Sequence, residues 1–458
     1  MAEKLITKLR DFPAVEELLQ RTSLAATIVL VPRPLAAALV KEVIAQAKAS
    51  LKTKKVKITE ASIERDITRA IVGSRRQEIT PVINATGIVI HTNLGRAPLA
   101  AELFDQVRDA VAGFGNIEYD LAGGARGGRG AACERYLALL SQAESGVVVN
   151  NNAAALLLIL NSLANRKEVI ISRGELVQIG GGFRIPDILK KSGARLREVG
   201  STNITTLEDY QDNVTERTGM ILKVHKSNFM QAGFTEEVAV GPLVELGRKF
   251  DVPVVNDLGS GVFIPTKKIL GHVEPTVQQS VKSGADLTCF SGDKMLGGVQ
   301  SGLIVGRKAV VEKLKRNPIF RTMRLDKIMV AFLERLLRVY LDGDPCDHVR
   351  LWQILAVPEA TLYERGRQIL DELGQPDGLS VSATSAYVGG GALPETRLPS
   401  VGIVFDSKYR PTAMMRDFRA LEPPVIGRIE DDRYILDLKA VGENEMTALI
   451  RAIRKVTG

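Results

Sequence analysis

The sequence is poor in cysteine and in aromatic residues: its 458 residues hold three Cys, one Trp and 5% aromatics. Cys133, Cys289 and Cys346 lie far apart, so neither a disulfide framework nor a thiolate metal site is expected. Such thiols fit a reducing compartment, and a cytoplasmic location follows as an expectation. The four histidines form no cluster with Cys or carboxylates, which removes the other common metal signature. No stretch of about eighteen uncharged apolar residues occurs, and this excludes a membrane-spanning helix. Glu3, Lys4 and Lys8 are followed by no apolar core with a small-residue cleavage site, so no secretory leader is expected. Internal repeats and low-complexity tracts are also missing.

What is present is a globular mix, 45% hydrophobic and 25% charged, in a chain too long for one ordinary core. The net charge of +8 is unevenly spread. Residues 1–76 carry fifteen Lys and Arg against eight Asp and Glu, so nearly all of the excess sits in the first sixth of the chain. A basic module on a near-neutral body points to a polyanionic partner. The module reads as helical. Val15, Leu18 and Leu19, then Leu35, Leu39, Val43 and Ile44, recur at helix spacing, with Pro32 and Pro34 interrupting the run. Lys52, Lys54, Lys55 and Lys57 precede a short helix around Ile63, Ile67 and Ile71, and Arg75 and Arg76 close the module.

The body has a different texture. Short β-rich runs at 146–149, 168–172, 220–224, 252–256, 287–290 and 302–305 alternate with helical segments such as 153–164 and 243–250. This alternation predicts a mostly parallel sheet covered on both faces, with ligands gathered at the carboxyl ends of its strands. A helical connector is expected over 309–340. A smaller α+β segment follows, with a helix at 360–373, strands at 401–405 and 434–438, and a last helix at 443–456. Three domains result: 1–76, 77–340 and 341–458.

Three features fall at successive strand ends. The run Ala285-Asp286-Leu287-Thr288-Cys289-Phe290-Ser291-Gly292-Asp293-Lys294 ends a strand in a polar turn that carries one lysine. Burial there disfavours the ammonium, and the free amine can form an imine with a carbonyl. Asp257 closes the strand before it and suits the carboxylate that keeps a pyridine ring protonated. Asn150-Asn151-Asn152 and Ala153 lead from a strand into a helix, whose backbone N–H groups suit a phosphate, with Ser291 able to add a hydroxyl. Each feature alone has a plain alternative: a surface lysine, a turn-capping aspartate, a helix-capping asparagine. Together they point to pyridoxal phosphate.

Arg96, Arg321 and Arg324 suit an oxyanion, the last two read as sharing a helix face three positions apart. Gly123–Gly130, with Arg126 and Arg129, does not match the spacing of a dinucleotide fingerprint and reads as a flexible basic loop near the site. Gly180-Gly181-Gly182 reads as a close-approach loop. His91 and His225 read as satisfied core or rim positions; His272 and His348 receive no role.

On these residues the chain resembles the bacterial L-seryl-tRNA(Sec) selenium transferases, or selenocysteine synthases. The similarity runs over most of its length and is most specific at 83–99, 148–155, Ser172-Arg173-Gly174-Glu175, 291–302 and 317–327. The resemblance implies an α/β, fold-type I aminotransferase-like large domain, a small C-terminal α+β domain and a helical N-terminal domain that binds tRNA. It implies Lys294 as the cofactor lysine, with Asp293 beside it contributing to activity. It further implies Arg96, Arg321 and Arg324 at selenophosphate, and a homodecamer built from dimers. The activity implied is β-replacement on seryl-tRNA(Sec) through an aminoacrylyl-tRNA, giving selenocysteinyl-tRNA(Sec). One departure is visible: the family usually reads Arg-Gly-Ser-Arg-Tyr where this chain has Arg126-Gly127-Gly128-Arg129-Gly130. Two other readings are a related pyridoxal-phosphate lyase acting on a small free amino acid without tRNA, and a non-enzymatic RNA-binding protein.

Overall fold

Ile63, Ile67 and Ile71 recur every fourth position, and the helix Glu60–Arg75 buries all three. They pack against Val40, Val43 and Ile44 of the helix Arg33–Lys52 and against Leu18 of the helix Val15–Gln20. Pro32 is the N-cap of the long helix and Pro34 lies in its first turn, where a missing N–H costs nothing. These elements belong to the first of two compact units, Met1–Val82; the second is Ile83–Gly458. The computed structural model describes residues 5–53, 57–75, 77–179, 182–226, 229–389 and 396–458. Lys4, Lys54, Lys55, Arg76 and the Gly180-Gly181 pair lie outside them. Within the first unit Arg21 bridges Glu17, Glu60 and Glu64 at 2.7, 2.9 and 2.7 Å, which ties the first helix to the last.

In the second unit a seven-stranded sheet runs in the order Arg195–Val199, Glu168–Ser172, Thr218–Val224, Val254–Gly259, Leu287–Ser291, Gly302–Gly306, Ser145–Val149. Neighbours are parallel except at Gly302–Gly306, which is antiparallel to both of its partners. The other six strands therefore end on one edge. The helix Asn152–Ala164 covers one face, where Val149, Ile171, Leu222, Val255 and Ile304 are buried with Leu156, Ile159 and Leu160. Val148, Leu258, Phe290 and Leu303 face the other way, toward Leu333, Leu336, Leu337 and Trp352. Each such large side chain contributes about 1.5–3 kcal/mol. The edge strand Arg195–Val199, with its charged sequence, carries no β pattern that would have revealed it.

A second sheet orders Arg428–Glu430, Arg433–Asp437, Arg397–Phe405, Leu379–Gly389 and Ile88–Ile90. Its longest strand, Leu379–Gly389, alternates Leu379, Val381 and Ala383 with Ser380, Ser382 and Thr384, a pattern weakened by its many small residues. Ile88–Ile90, from the start of the body, pairs in parallel with that strand and so joins the C-terminal sheet.

The connector departs from the single helix expected over 309–340. Helices Lys308–Arg316 and Lys327–Asp342 are separated by a tight 3₁₀ segment, Pro318–Met323. Asn317 caps that segment and Asp326 caps the next helix, accepting from the N–H groups of Ile328 and Met329. Arg321 lies in the 3₁₀ turn and Arg324 is its extended C-cap, so the expected shared helix face does not exist.

The connector also holds the segment after Lys294. Trp352 Nε1 donates to the Tyr340 hydroxyl at 2.6 Å, and that hydroxyl donates to the Leu296 carbonyl at 2.9 Å. Gly297 has φ 71°, and a Cβ there would sit 2.5 Å from Val349 Cγ1. Tyr340→Phe leaves the indole N–H and the Leu296 carbonyl unpaired in a buried place. We expect a loss of about 1–3 kcal/mol in unfolding free energy, read from the urea midpoint.

Candidate active site

The carboxyl edge of the large sheet collects the polar groups. Asp257 pairs in register with Cys289 on the next strand, and both side chains are buried. Asn152, in the first turn of the helix Asn152–Ala164, donates from Nδ2 to Asp257 Oδ1 at 2.9 Å. Burial pushes the Asp257 carboxyl up; the bond from Asn152, the Lys294 charge and the Cys289 thiol pull it back. Burial raises Cys289 as well, and the Asp257 charge adds to the rise, so the thiol stays protonated. The sequence singled out neither the contact between Asn152 and Asp257 nor a place for Cys289 beside it. Period-2 register across two strands puts Cys289 there.

Lys294 is 5% exposed in the turn after Ser291. Burial lowers its ammonium; Asp257 opposes that, Arg96 reinforces it, and Asp293 and Glu274 oppose it. The turn is fixed by backbone bonds from Met295 N–H to Ser260 O and from Gly297 N–H to Lys294 O, both 2.9 Å. Arg96 NH1 donates to Asp293 Oδ2 at 2.8 Å, and Ala97 N–H donates to the Asp293 carbonyl at 3.2 Å. Arg96 itself sits in the left-handed region at φ 67°, a conformation that costs stability and is held here by its N–H bond to the His91 carbonyl. Lys294, Asp257, Asp293 and Arg96 thus form one electrostatic group.

At the helix start Asn151 accepts from Ala154 N–H at 2.8 Å, so its side chain serves as the cap. Asn152 Oδ1 is buried without a partner among the described residues. Ser291 is buried at the end of its strand. Asn150 N–H donates to the Met323 carbonyl at 3.0 Å, which carries Arg324 to this same edge. Arg321 is exposed. The arrangement fits pyridoxal phosphate: a buried amine, a buried carboxylate with a fixed hydrogen bond, and a helix N-terminus with small side chains.

The glycine-rich segment is a hairpin, Tyr119–Asp120 against Ala125–Arg126, rather than the expected loop. Glu118 binds Arg126 at 3.0 Å and Arg129 at 2.8 Å, with Arg324 at 3.7 Å. Gly130 caps the following helix at φ 66°, 3.2 Å from Val330 by its missing Cβ, so a side chain there strains the turn. His91 and His225 differ from the satisfied positions expected. The Nδ1 of each is buried without a partner among the described residues. Glu274, buried within the field of Lys294, stands in a loop whose sequence carries no signal for it. No group of metal-binding residues occurs among the described residues, and no helix among them is long and apolar enough to cross a membrane.

A family model described as L-seryl-tRNA selenium transferase matches residues 82–442. An L-seryl-tRNA(Sec) selenium transferase of Geobacter sulfurreducens is 41% identical over 453 residues, covering 97% of this chain and 98% of that protein. One of Aquifex aeolicus is 41% identical over 395 residues, covering 85% and 87%. Among solved structures, D-glucosaminate-6-phosphate ammonia-lyase superposes with a TM-score of 0.60 at 19% identity, over 83% of this chain and 97% of that one. That likeness is one of fold, and it bears out the fold-type I architecture expected of the large domain.

Asn152→Ala removes the hydrogen bond that favours the Asp257 carboxylate, so the folded-state pKa of Asp257 rises further. The ionised form is then penalised in the folded protein. The variant should match the parent at acid pH and lose stability as pH rises through the Asp257 titration, by up to about 1–3 kcal/mol. Urea unfolding of the cofactor-free protein at pH 5 and pH 8 measures this; an equal deficit at both would show the bond to be uncoupled from ionisation.

Proposed function

This chain belongs to the L-seryl-tRNA selenium transferase family, and we propose that it converts seryl-tRNA(Sec) to selenocysteinyl-tRNA(Sec) with pyridoxal phosphate held on Lys294. The observation that carries the reading is the burial of the Lys294 amine and of the hydrogen-bonded Asp257 carboxylate at one edge of one sheet. Bound there, the cofactor supplies an electron sink that lets a β-hydroxyl leave the seryl group and a selenium nucleophile replace it.

The residues divide the remaining work. Backbone N–H groups of Asn152 and Ala153, presented by the cap that Asn151 makes, hold the cofactor phosphate, and the Ser291 hydroxyl adds a donor. Asp257 keeps the ring nitrogen protonated. Lys294 Nζ, once the seryl amine has displaced it from the cofactor, would accept the α-proton of the seryl group, its ammonium being weakened by burial. Asp293 fixes Arg96, which with Arg321 and Arg324 binds the selenophosphate oxyanion. Because the substrate is an ester, no arginine has to bind a free α-carboxylate. Residues 1–76, with most of the chain's net charge, bind the tRNA. The protein works in the cytoplasm as a homo-oligomer, a decamer built from dimers. The match to the Geobacter sulfurreducens relative over 97% of the chain includes the basic module, which a lyase acting on a free amino acid does not need.

Lys294→Ala should abolish the visible absorbance band of the lysine-bound cofactor and lower kcat by at least about 100-fold. A surviving band would place the cofactor elsewhere. Deleting residues 1–76 should abolish tRNA binding, measured by filter retention, while cofactor loading persists; unchanged tRNA affinity would refute the role given to that module.

A further inference from the structure

Two buried polar atoms beside the lysine turn make no hydrogen bond among the described residues, Glu274 Oε1 and His225 Nδ1, and the Ser260 hydroxyl acts on the same Glu274 carboxyl. Orphaned polar groups cost a fold stability, and where several gather the reason is usually functional. His225 Nδ1 lies 4.0 Å from Glu274 Oε1. His225 and Ser260 are tied to the site by the backbone. His225 N–H donates to the Asp257 carbonyl at 2.9 Å, and Ser260 O accepts Met295 N–H. Glu274 is 2% exposed and fixed by Thr266, whose hydroxyl accepts its N–H at 2.9 Å and donates to the His272 carbonyl at 2.7 Å. The loop therefore holds a buried carboxyl within the field of Lys294.

Burial pushes the Glu274 carboxyl up to about 7, with Ser260 and Lys294 pulling the other way. The same burial pushes the His225 imidazole down. Both directions favour the uncharged forms, a carboxylic acid facing a neutral imidazole. A small rotation of the Glu274 side chain closes the gap and lets the acid donate to Nδ1. The other charges that face His225 are Glu237, Lys223, Lys294 and Lys226, while Asp257, Arg96 and Asp293 act on Lys294.

We propose that Glu274 and His225 are a positioning pair that shares one proton, so that a neutral surface backs Lys294 during turnover and a negative charge appears there only when that proton leaves. A permanent carboxylate would hold the lysine proton by charge attraction, whereas the neutral pair leaves the Lys294 amine free to accept and return one. The inference rests on Lys294 being the cofactor lysine.

The test is a pH titration of the holoenzyme's visible absorbance. The parent should show an inflection close to pH 7 from the pair, and Glu274→Gln should lack it. In the variant, a titration of the lysine-bound cofactor that lies above pH 7 should fall by about one pH unit, because the negative charge that the pair carries there is gone. Cofactor affinity should stay within about twofold, since nothing that holds the cofactor has changed. An unchanged titration curve in a loaded Glu274→Gln enzyme overturns the proposal. If that variant fails to fold, His225→Gln replaces it: loss of the same inflection supports the pair, and its survival refutes it. Lys294→Ala separates the two readings, because a cofactor band that survives there sinks the lysine assignment itself. A band lost there, with an intact titration in Glu274→Gln, sinks only the pair.

Discussion

An amine and a carboxylate buried at one edge of one sheet are what the rest of this structure serves. Neither Lys294 nor Asp257 would remain charged in such a place without help, because desolvation drives each toward its neutral form. Their mutual attraction, the Asn152 hydrogen bond and the field of Arg96 and Asp293 set a balance between the two forms. A group balanced in this way can release and regain a proton at small cost, which is the property a lysine at the centre of amino-group chemistry requires.

Holding that balance demands rigidity, and the fold supplies it from both faces. The helix Asn152–Ala164 carries Asn152 to Asp257 and buries its own leucines over the sheet. From the opposite side Trp352 and Tyr340 fix the Leu296 carbonyl, two residues beyond the lysine. The close approach of Gly297 to Val349 lets the turn lie directly against the connector. A loosening of about 1 Å in such a turn would move the amine out of reach of its partners.

The arginines show a second use of charge. Glu118 gathers Arg126 and Arg129 and lies 3.7 Å from Arg324, so one carboxylate links the hairpin to the connector. Gly130 adopts a left-handed conformation and starts the next helix against Val330.

Much of this was legible in the residue order. Apolar runs bounded by polar turns located the strands Ser145–Val149, Glu168–Ser172, Thr218–Val224, Val254–Gly259 and Leu287–Ser291, and polarity at their ends located Asp257, Lys294 and the asparagine turn. Burial on both faces forces a strand to be continuously apolar, so such strands announce themselves. The charged edge strand Arg195–Val199 and the Ser- and Thr-rich Leu379–Gly389 did not, because strands that bury little carry little pattern. The split of the connector comes from Pro318, which cannot continue a helix, and from the caps Asn317 and Asp326, local signals that the helical period on either side hides. The composition and order of the side chains determined which groups could do chemistry. Tertiary packing alone decided that Asn152 meets Asp257, that Arg96 meets Asp293 and that Glu274 and His225 share a buried corner, because these partners lie 105, 197 and 49 positions apart and no local rule couples residues at such distances.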